Sequence, residues 1–365
     1  MFKTMKKKYC KIEKLIKLAK KGKTFILVDD ESRENEGDLV FLAHKCTPKK
    51  INFMAKFGRG LICLALDKKQ SDKLGLKLMS NSNGTRFSTA FTVSIEAKKG
   101  VTTGISAFDR SKTITTAIKK NSTKKDIVTP GHIFPLIAKT GGVLVRTGHT
   151  EASVDIAKIS SNSSGAVICE IMNDDGTMAK RDQLFKFAKK HHLQIAKIED
   201  LIKYRLKKEN FVQLVNKTKI KFKNKRYDKK VFINTVDKQQ HLVISSSNLD
   251  INNCRVRVLS FKNKDIKKNV LKIDEVKKSL KYLYKFSNFA LIIIKNFDMN
   301  ENNNVLKFMS SKKETPTNSI RNYGVGAQII KKIGLNNLIL VTKSKKKIVG
   351  LDGFGIKIKK QEIFK

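Results

Sequence analysis

The ten residues Asp29-Asp30-Glu31-Ser32-Arg33-Glu34-Asn35-Glu36-Gly37-Asp38 lie between two short apolar runs, at 24–28 and 39–43. Each run has the length and composition of a buried strand, and Gly37 permits a sharp turn between them. Acids packed this closely raise one another's pKa unless a cation lies among them. A hard divalent ion held by one or two carboxylates, water and substrate oxygens is the usual coordination of magnesium. The stretch therefore predicts a magnesium site beside two strands, with a solvated acidic loop as the alternative.

Helix and strand patterns alternate around this stretch and predict an α/β (or α+β) first domain, with a mixed sheet and surrounding helices. The segment 47–57 begins with Thr47-Pro48, an N-cap residue followed by proline at the first helical position. The predicted helices lie at 12–21, 47–57, 111–120, 148–159, 181–191 and 199–207, and the predicted strands at 24–28, 39–43, 61–66, 91–95 and 167–171.

Two further segments each place one histidine in an unusual setting. In Thr129-Pro130-Gly131-His132-Ile133-Phe134-Pro135-Leu136, two of the four prolines of the chain restrict the backbone on both sides of His132. In Arg146-Thr147-Gly148-His149-Thr150-Glu151-Ala152, a helix that begins near Gly148 would direct its free N–H groups at an anion. Arg146 and Thr150 would add a guanidinium and a hydroxyl to such a phosphate site, with His149 beside it as a metal ligand. Two structural histidines are the alternative.

Polar residues also accompany two of the predicted strands. Glu170 lies at the end of one, and Cys63 follows Gly60-Leu61-Ile62 in another. Polar groups at strand ends face the mouth of an α/β site. The segment 102–110 supplies hydroxyls, Thr103 among them, and a glycine near a helix start, which suits a phosphate contact or a capped turn equally.

Five segments occur in the order found in a known family: 29–38, Thr-Thr-Gly-Ile-Ser-Ala-Phe-Asp-Arg at 102–110, Pro-Gly-His-Ile-Phe-Pro-Leu at 130–136, Gly-His-Thr-Glu-Ala at 148–152, and Cys-Glu-Ile-Met-Asn-Asp-Asp-Gly at 169–176. Together they closely resemble 3,4-dihydroxy-2-butanone 4-phosphate synthase over about residues 10–207. The resemblance implies conversion of ribulose 5-phosphate to 3,4-dihydroxy-2-butanone 4-phosphate and formate in the riboflavin pathway. It also implies a homodimer with sites near the subunit interface.

The same resemblance implies roles for individual residues. Glu34 and His149 match the ligands of Mg²⁺ (or Mn²⁺), and His132 and Glu170 match the two catalytic proton-transfer residues, whose order of action stays open. Substrate contacts are implied for Arg33, Glu34, Asp38, Arg146, Thr147, Gly148, His149, Thr150 and Glu170. Further active-site positions are matched by Asp29, Glu36, Cys63 and Thr103.

The character of the sequence changes at about 207–211, which predicts a first domain at 1–208 and a second, smaller α/β domain at 209–365. Residues 318–333, 340–342 with Lys347, and 350 onward resemble the closing portion of GTP cyclohydrolase II. That enzyme needs three cysteine thiolates for zinc and a glycine- and arginine-rich loop.

This half of the chain holds one cysteine, Cys254, and Met-Asn-Glu-Asn at 299–302 stands near the place of the loop. Ser319 also replaces an expected aspartate. We therefore expect a degenerate cyclohydrolase fold with no zinc and no GTP hydrolysis. Thr342, Lys347 and Arg321 are either a vestigial nucleotide site or plain surface. A structural or regulatory role is open, and a working cyclohydrolase is the alternative.

Composition limits the remaining functional classes. The net charge of +45 comes from lysines spread over both halves, which indicates compositional drift and no specific nucleic-acid partner. A basic nucleic-acid-binding protein is the alternative of a different class. No apolar run is long enough for a membrane helix, and no signal-peptide pattern opens the chain, so a cytoplasmic protein is expected. Five scattered cysteines without a CxxC pair favour reduced thiols.

Overall fold

The computed structural model describes residues 9–31, 33–80, 89–222, 225–262, 270–296, 316–344 and 354–364. The chain forms two compact units, Met1–Ile202 and Lys203–Lys365. A helix, Ile198–Lys208, runs across the division between them. The domain boundary expected at 208/209 stays a prediction.

The first unit is built on a seven-stranded sheet with helices packed against it. Its elements are α1 (Ile12–Lys20), β1 (Phe25–Val28), β2 (Gly37–Leu42), α2 (Pro48–Phe53), β3 (Cys63–Leu66), α3 (Lys68–Lys73), β4 (Ile95–Ala97), α4 (Ala107–Ala117), β5 (Ile127–Ile137), α5 (His149–Ser161), β6 (Gly165–Glu170), α6 (Arg181–Lys190), β7 (Ile195–Lys197) and α7 (Ile198–Lys208). The strand order is β4-β5-β3-β6-β2-β1-β7. Two neighbouring pairs, β1–β7 and β3–β5, are parallel and the other four are antiparallel, so the predicted mixed α/β class is confirmed.

Local sequence accounts for most of these boundaries. In α1 the buried residues Ile12, Leu15 and Ala19 recur every three to four positions, and Gly22 follows with φ of 75°. The N-cap predicted for α2 is present, because the Thr47 side chain accepts a hydrogen bond from the backbone N–H of Lys50 and Pro48 occupies the first turn. The helix predicted at 47–57 is α-helical only to Phe53 and continues as a π-helical turn, Met54–Gly58.

Two predictions in this unit were wrong in detail. The strand expected at 91–95 is reduced to isolated bridges, and the regular strand begins at Ile95. The helix expected at 111–120 begins at Ala107, because Ser106 caps it by accepting a hydrogen bond from the Asp109 N–H. The segment with two prolines around His132 is part of the long strand β5, in which the Thr129-Pro130 peptide bond is cis.

The second unit also has a seven-stranded mixed sheet, in the order β14-β13-β11-β12-β10-β9-β8. Its elements are β8 (Val212–Phe222), β9 (Lys225–Asn234), β10 (Gln240–Ser246), β11 (Cys254–Lys262), α8 (Asp274–Leu283), β12 (Phe289–Asn296), α9 (Pro316–Lys332), β13 (Asn337–Thr342) and β14 (Lys357–Ile363). The core includes Leu283, Phe289 and Leu291 from α8 and β12. In the part of the chain that the structure describes, no helix is both long enough and apolar enough to cross a membrane.

Candidate active site

Four strands of the first sheet bring polar residues to one edge. Asp29 follows the end of β1, and Asp38 near the start of β2 is the register partner of Glu170 at the end of β6. Cys63, the first residue of β3, pairs with Ile168, two positions before Glu170. Because adjacent strands lie about 4.8 Å apart, these groups form a row along the sheet edge. The row explains why strand-end residues dispersed over 140 positions of sequence share one site.

Asp29 organises the acidic loop between β1 and β2. Its carboxylate accepts hydrogen bonds from the backbone N–H of Glu34 at 3.2 Å and of Glu36 at 2.9 Å, and from Arg33 Nη1 at 2.8 Å. Arg33 also donates to Glu34. The Asp29 side chain is almost fully buried. A solvated loop would leave this carboxylate exposed, so the loop is held in one shape by its own first acid.

Three side chains form a cluster that can hold a metal ion. One ligand atom from each of Asp29, Glu34 and His149 lies within 4.8 Å of the others. His149 Nδ1 is 3.7 Å from Glu34 Oε2 and 3.7 Å from Asp38 Oδ1. Two carboxylates and an imidazole facing one point suit a divalent cation. Asp29 is a third candidate ligand beside Glu34 and His149, the two expected from the sequence. Its distance from these two residues in the fold identifies it as a candidate.

Electrostatics at this cluster follow from burial and opposite charge. Burial favours a neutral Glu34, but the hydrogen bond with His149 and the charges of Arg33 and His149 lower its pKa to about 2. Burial opposes a charged imidazole, yet the carboxylates of Asp38, Glu34 and Asp29 raise the pKa of His149 to about 9. A cation bound through a His149 nitrogen would have to displace this proton, so metal binding would release protons.

Asp38 and Glu170 form the centre of the row. Burial, and then the negative charges of Glu170 and Glu34, raise the pKa of Asp38 to about 7. Glu170 Oε2 accepts a hydrogen bond from the Leu61 N–H at 2.9 Å. A Cβ at Gly60 would lie 2.6 Å from Glu170 Oε2, so the chain approaches this carboxylate as only glycine permits. The arrangement gives two adjacent carboxyl groups different surroundings, as acid–base chemistry requires.

The start of α5 lies next to the acidic cluster. Gly148 is its N-cap, so the N-cap residue offers no side-chain hydrogen bond to the amides of the first turn. The guanidinium of Arg146 is fixed by Glu151 at 2.6 Å and by Thr89 at 2.9 Å. A Cβ at Gly148 would lie 2.3 Å from Arg146 Nη1. Glycine at the N-cap therefore makes room for the arginine beside the first turn of α5.

His132 lies in a separate hydrogen-bonded group. Its Nδ1 is 2.7 Å from Glu96 Oε2, and its backbone N–H donates to the same oxygen. Thr113 donates to the other Glu96 oxygen at 2.7 Å, and a Cβ at Gly104 would lie 2.4 Å from His132 Nδ1. The His132 side chain remains 43% exposed. Glu96 thus orients the imidazole, and it was missed because no sequence motif surrounds it.

The structure brings the sequence-predicted residues into two groups. One contains Asp29, Arg33, Glu34, Glu36, Asp38, Arg146, Thr147, Gly148, His149, Thr150, Glu170 and Cys63 around the acidic loop and the start of α5. The other contains His132, three strands from Asp38 in the sheet order and so about 14 Å away. Thr103 is exposed in a loop held by Asp109, which accepts from the N–H groups of Thr102 and Gly104. Burial and the charges of Glu170 and Asp38 raise the pKa of Cys63, so its thiol is neutral.

In the second unit, Cys254 is buried, and burial raises its pKa to about 12. Among the described residues, the cluster of Asp29, Glu34 and His149 is the one group able to hold a metal. Thr342 ends β13, and its buried hydroxyl has no hydrogen-bond partner among the described residues. The side chains of Ser319 and Arg321, the segment 299–302, Lys347 and residues 350–351 lie outside the described residues.

Comparisons with known proteins agree with both resemblances. A family model described as 3,4-dihydroxy-2-butanone 4-phosphate synthase matches residues 13–204, and one described as GTP cyclohydrolase II matches residues 213–362. The chain is 41% identical over 352 residues to a 3,4-dihydroxy-2-butanone 4-phosphate synthase of Wolinella succinogenes, with 95% of each chain covered. It is 41% identical over 376 residues to the riboflavin biosynthesis protein RibBA of Aquifex aeolicus, covering 96% of this chain and 91% of that one.

Solved structures give the same result. RibBX from A. baumannii, a two-domain 3,4-dihydroxy-2-butanone 4-phosphate synthase, matches with a TM-score of 0.81 and 33% identity, covering 97% of this chain and all of that one. A 3,4-dihydroxy-2-butanone 4-phosphate synthase in complex with two magnesium ions matches with a TM-score of 0.53 and 34% identity, covering 55% of this chain and 98% of that one.

Proposed function

The chain belongs to the 3,4-dihydroxy-2-butanone 4-phosphate synthase family, and we propose that its first domain converts D-ribulose 5-phosphate to L-3,4-dihydroxy-2-butanone 4-phosphate and formate for riboflavin biosynthesis. The observation that carries this proposal is one sheet edge holding a carboxylate–imidazole cluster beside an open helix N-terminus. A sugar phosphate needs both features, a cationic or amide cradle for its phosphate and acid–base groups near its hydroxyls.

The residues fit a divalent cation, Mg²⁺ or Mn²⁺, bound by Glu34 and His149 with Asp29 beside them. Such a cation would act as a Lewis acid for the oxygens of an enediolate. The match to a synthase that was crystallised with magnesium supports the choice of ion. The protein contributes the loop geometry, because Asp29 fixes the backbone amides of Glu34 and Glu36.

Substrate binding is assigned to the start of α5 and to the acidic loop. The backbone amides of Gly148, His149 and Thr150 would receive the phosphate, with Arg146 held in place by Glu151. Arg33, Glu34 and Asp38 would contact the hydroxyl end of the sugar. Thr147 and Thr150 would add hydroxyl groups on either side of the helix start.

Proton transfer is assigned to Glu170 and His132. Glu170 stands beside Asp38, with one carboxylate oxygen held by the Leu61 N–H, so its position is fixed. His132 is oriented by Glu96 and exposed to solvent at the far end of the row. We further propose a homodimer, because two large apolar side chains, Ile105 and Phe108, are 56% and 62% exposed. They follow Gly104 in the chain, and a Cβ at Gly104 would lie 2.4 Å from His132 Nδ1.

For the second domain we propose a cyclohydrolase-like fold that binds no zinc and does not hydrolyse GTP. Its one cysteine, Cys254, is buried and neutral, whereas a zinc site of that type requires thiolates. A bifunctional enzyme with cyclohydrolase activity is the alternative, because the chain is also similar to a RibBA protein. Stoichiometric zinc in the purified chain, with GTP consumption, would establish that alternative. Five free cysteines support a reducing, cytoplasmic location.

The proposed activity is tested by incubating the full chain with ribulose 5-phosphate and Mg²⁺ and measuring formate with a formate dehydrogenase coupled assay. We expect formate from the wild type, none after EDTA treatment, and none from Glu34→Gln. Glu13→Gln removes an exposed acid from α1 and should leave formate production unchanged. Formate production by Glu34→Gln at the wild-type rate would contradict the assignment of the metal site.

A further inference from the structure

A half-open cavity of about 240 Å³ lies against α6 and the π-helical turn after α2. Asp29, Glu34 and His149 are not among its lining residues, so within the described chain it is separate from the metal cluster. One wall is aromatic, formed by Phe57, Phe187 and His191. The proposed function leaves this cavity without a role.

The aromatic wall is built around His191. The His191 ring centroid is 4.6 Å from that of Phe57 and 4.4 Å from that of Phe187, and Phe53 packs edge-on behind it at 5.2 Å. All four rings are half-buried, so the wall is fixed by packing while part of it faces the opening. A planar aromatic ring can stack on such a wall, and stacking of this kind tolerates many ring types.

Two cationic side chains of α6 also line the cavity. Lys186 and Lys190 are one helical turn apart on α6, line the cavity and are exposed. Neither has an ion-pair partner among the described residues, unlike Arg59, which is paired with Asp174 and donates to the Met172 carbonyl oxygen. Like charges at this spacing repel each other, so a bound anion would be favoured by both. The cavity therefore combines a stacking surface with two lysines that make no ion pair with the described residues.

We propose that this cavity binds a small aromatic phosphate ester, with the ring against Phe57, Phe187 and His191 and the phosphate between Lys186 and Lys190. The volume accommodates a single ring system with one phosphate group, and it is too small to enclose a dinucleotide. A ring without charge would make no contact with the lysine ammonium groups, and a bare anion would leave the aromatic wall in water. Only a ligand that carries both a ring and a phosphate contacts the aromatic wall and the two lysines together.

The test is a saturation-transfer NMR titration of the full chain with phenyl phosphate. We expect saturable binding to the wild type. The dissociation constant should rise about tenfold or more in the double variant Lys186→Gln/Lys190→Gln, because two exposed cation–anion contacts are lost. Lys189→Gln is the matched control, because Lys189 is exposed on the same helix but does not line the cavity. Its affinity should equal that of the wild type.

Competition separates the two parts of the ligand. Phenol and inorganic phosphate should each displace phenyl phosphate only at much higher concentration than phenyl phosphate itself. Displacement by inorganic phosphate at equal concentration would overturn the proposal, since charge alone would then suffice. Equal affinity of the double lysine variant and the Lys189→Gln control would also overturn it, because the ligand would then bind elsewhere, for example at the start of α5.

Discussion

The substitution Gly104→Ala tests whether the His132–Glu96 pair is held in place by the loop that precedes α4. Gly104 has φ of 91°, and a Cβ there would lie 2.1 Å from Glu96 Oε2 and 2.4 Å from His132 Nδ1. Neither neighbour can yield freely, because Glu96 also accepts from Thr113 and from the His132 backbone N–H. The new methyl group must therefore separate the imidazole from its carboxylate.

The cost has two parts. An alanine in the left-handed region costs about 1–2 kcal/mol more than glycine. Loss of a hydrogen bond to a charged group adds about 1.5–3 kcal/mol. The free energy of unfolding should therefore fall by about 2.5–5 kcal/mol. Gly176→Ala provides the matched comparison, because Gly176 has φ of 84° and no described residue has an atom within 4 Å of the added Cβ, so it should show only the first part.

Both variants are measured by urea unfolding and by formate production. Gly104→Ala should also lose at least tenfold in kcat, because a positioned general acid or base contributes about 10²–10⁴-fold. A Gly104→Ala protein that is no less stable than Gly176→Ala and keeps the wild-type kcat would contradict this expectation. In that case the pair would be free to move, and His132 would not depend on Glu96 for its orientation.

Three further predictions follow from single contacts. Asp29→Asn should weaken Mg²⁺ binding by about 10–100-fold in a calorimetric titration, because the carboxylate that fixes the Glu34 and Glu36 amides is lost; unchanged affinity would show that the loop keeps its shape without this charge. Burial, and then the charge of Lys295, lower the pKa of His241 to about 4, so the unfolded state takes up a proton first as the pH falls from about 6.5. Through His241, the free energy of unfolding should fall by about 2 kcal/mol between pH 7.5 and pH 5. His241→Leu should make this fall smaller in urea unfolding, and an equal fall in the variant would show that other groups cause it. Phe108→Asp should shift the protein toward monomer in analytical ultracentrifugation, whereas Leu214→Asp, at an exposed leucine of the second unit, should not; an undisturbed dimer would remove Phe108 from the interface.

The parts of the site that sequence predicted are those encoded in short segments. The acidic loop occupies ten consecutive residues, 29–38, and the segment at the start of α5 occupies seven, 146–152, so a sequence motif identifies each of them. Glu96 is 36 residues from His132 and lies in a three-residue strand, and only the pairing of β4 with β5 brings the two together. The role of Asp29 as a third possible ligand likewise depends on its distance from His149 in space.

Strand β5 accommodates a proline within a paired strand. Pro135 lacks an N–H group, but its carbonyl oxygen accepts hydrogen bonds from the Thr92 N–H and hydroxyl, so this residue is paired through its acceptor alone. In the second unit, the described residues of the polar run at 217–230 lie in β8 and β9, which pair antiparallel. Its lysines are compensated in part by the buried Asp228, 3.6 Å from Lys217 and 3.8 Å from Lys230. A composition dominated by lysine concealed the strand alternation there.

The synthase activity of the first domain is measured by ¹³C NMR of the full chain with ribulose 5-phosphate labelled at C4, in the presence of Mg²⁺. We expect the label to appear as formate, and Glu170→Gln and His132→Asn should each abolish its release while the proteins stay folded. Labelled carbon that remains in the sugar phosphate, with folded and metal-loaded wild-type protein, would contradict the assignment of the synthase reaction to this sheet edge.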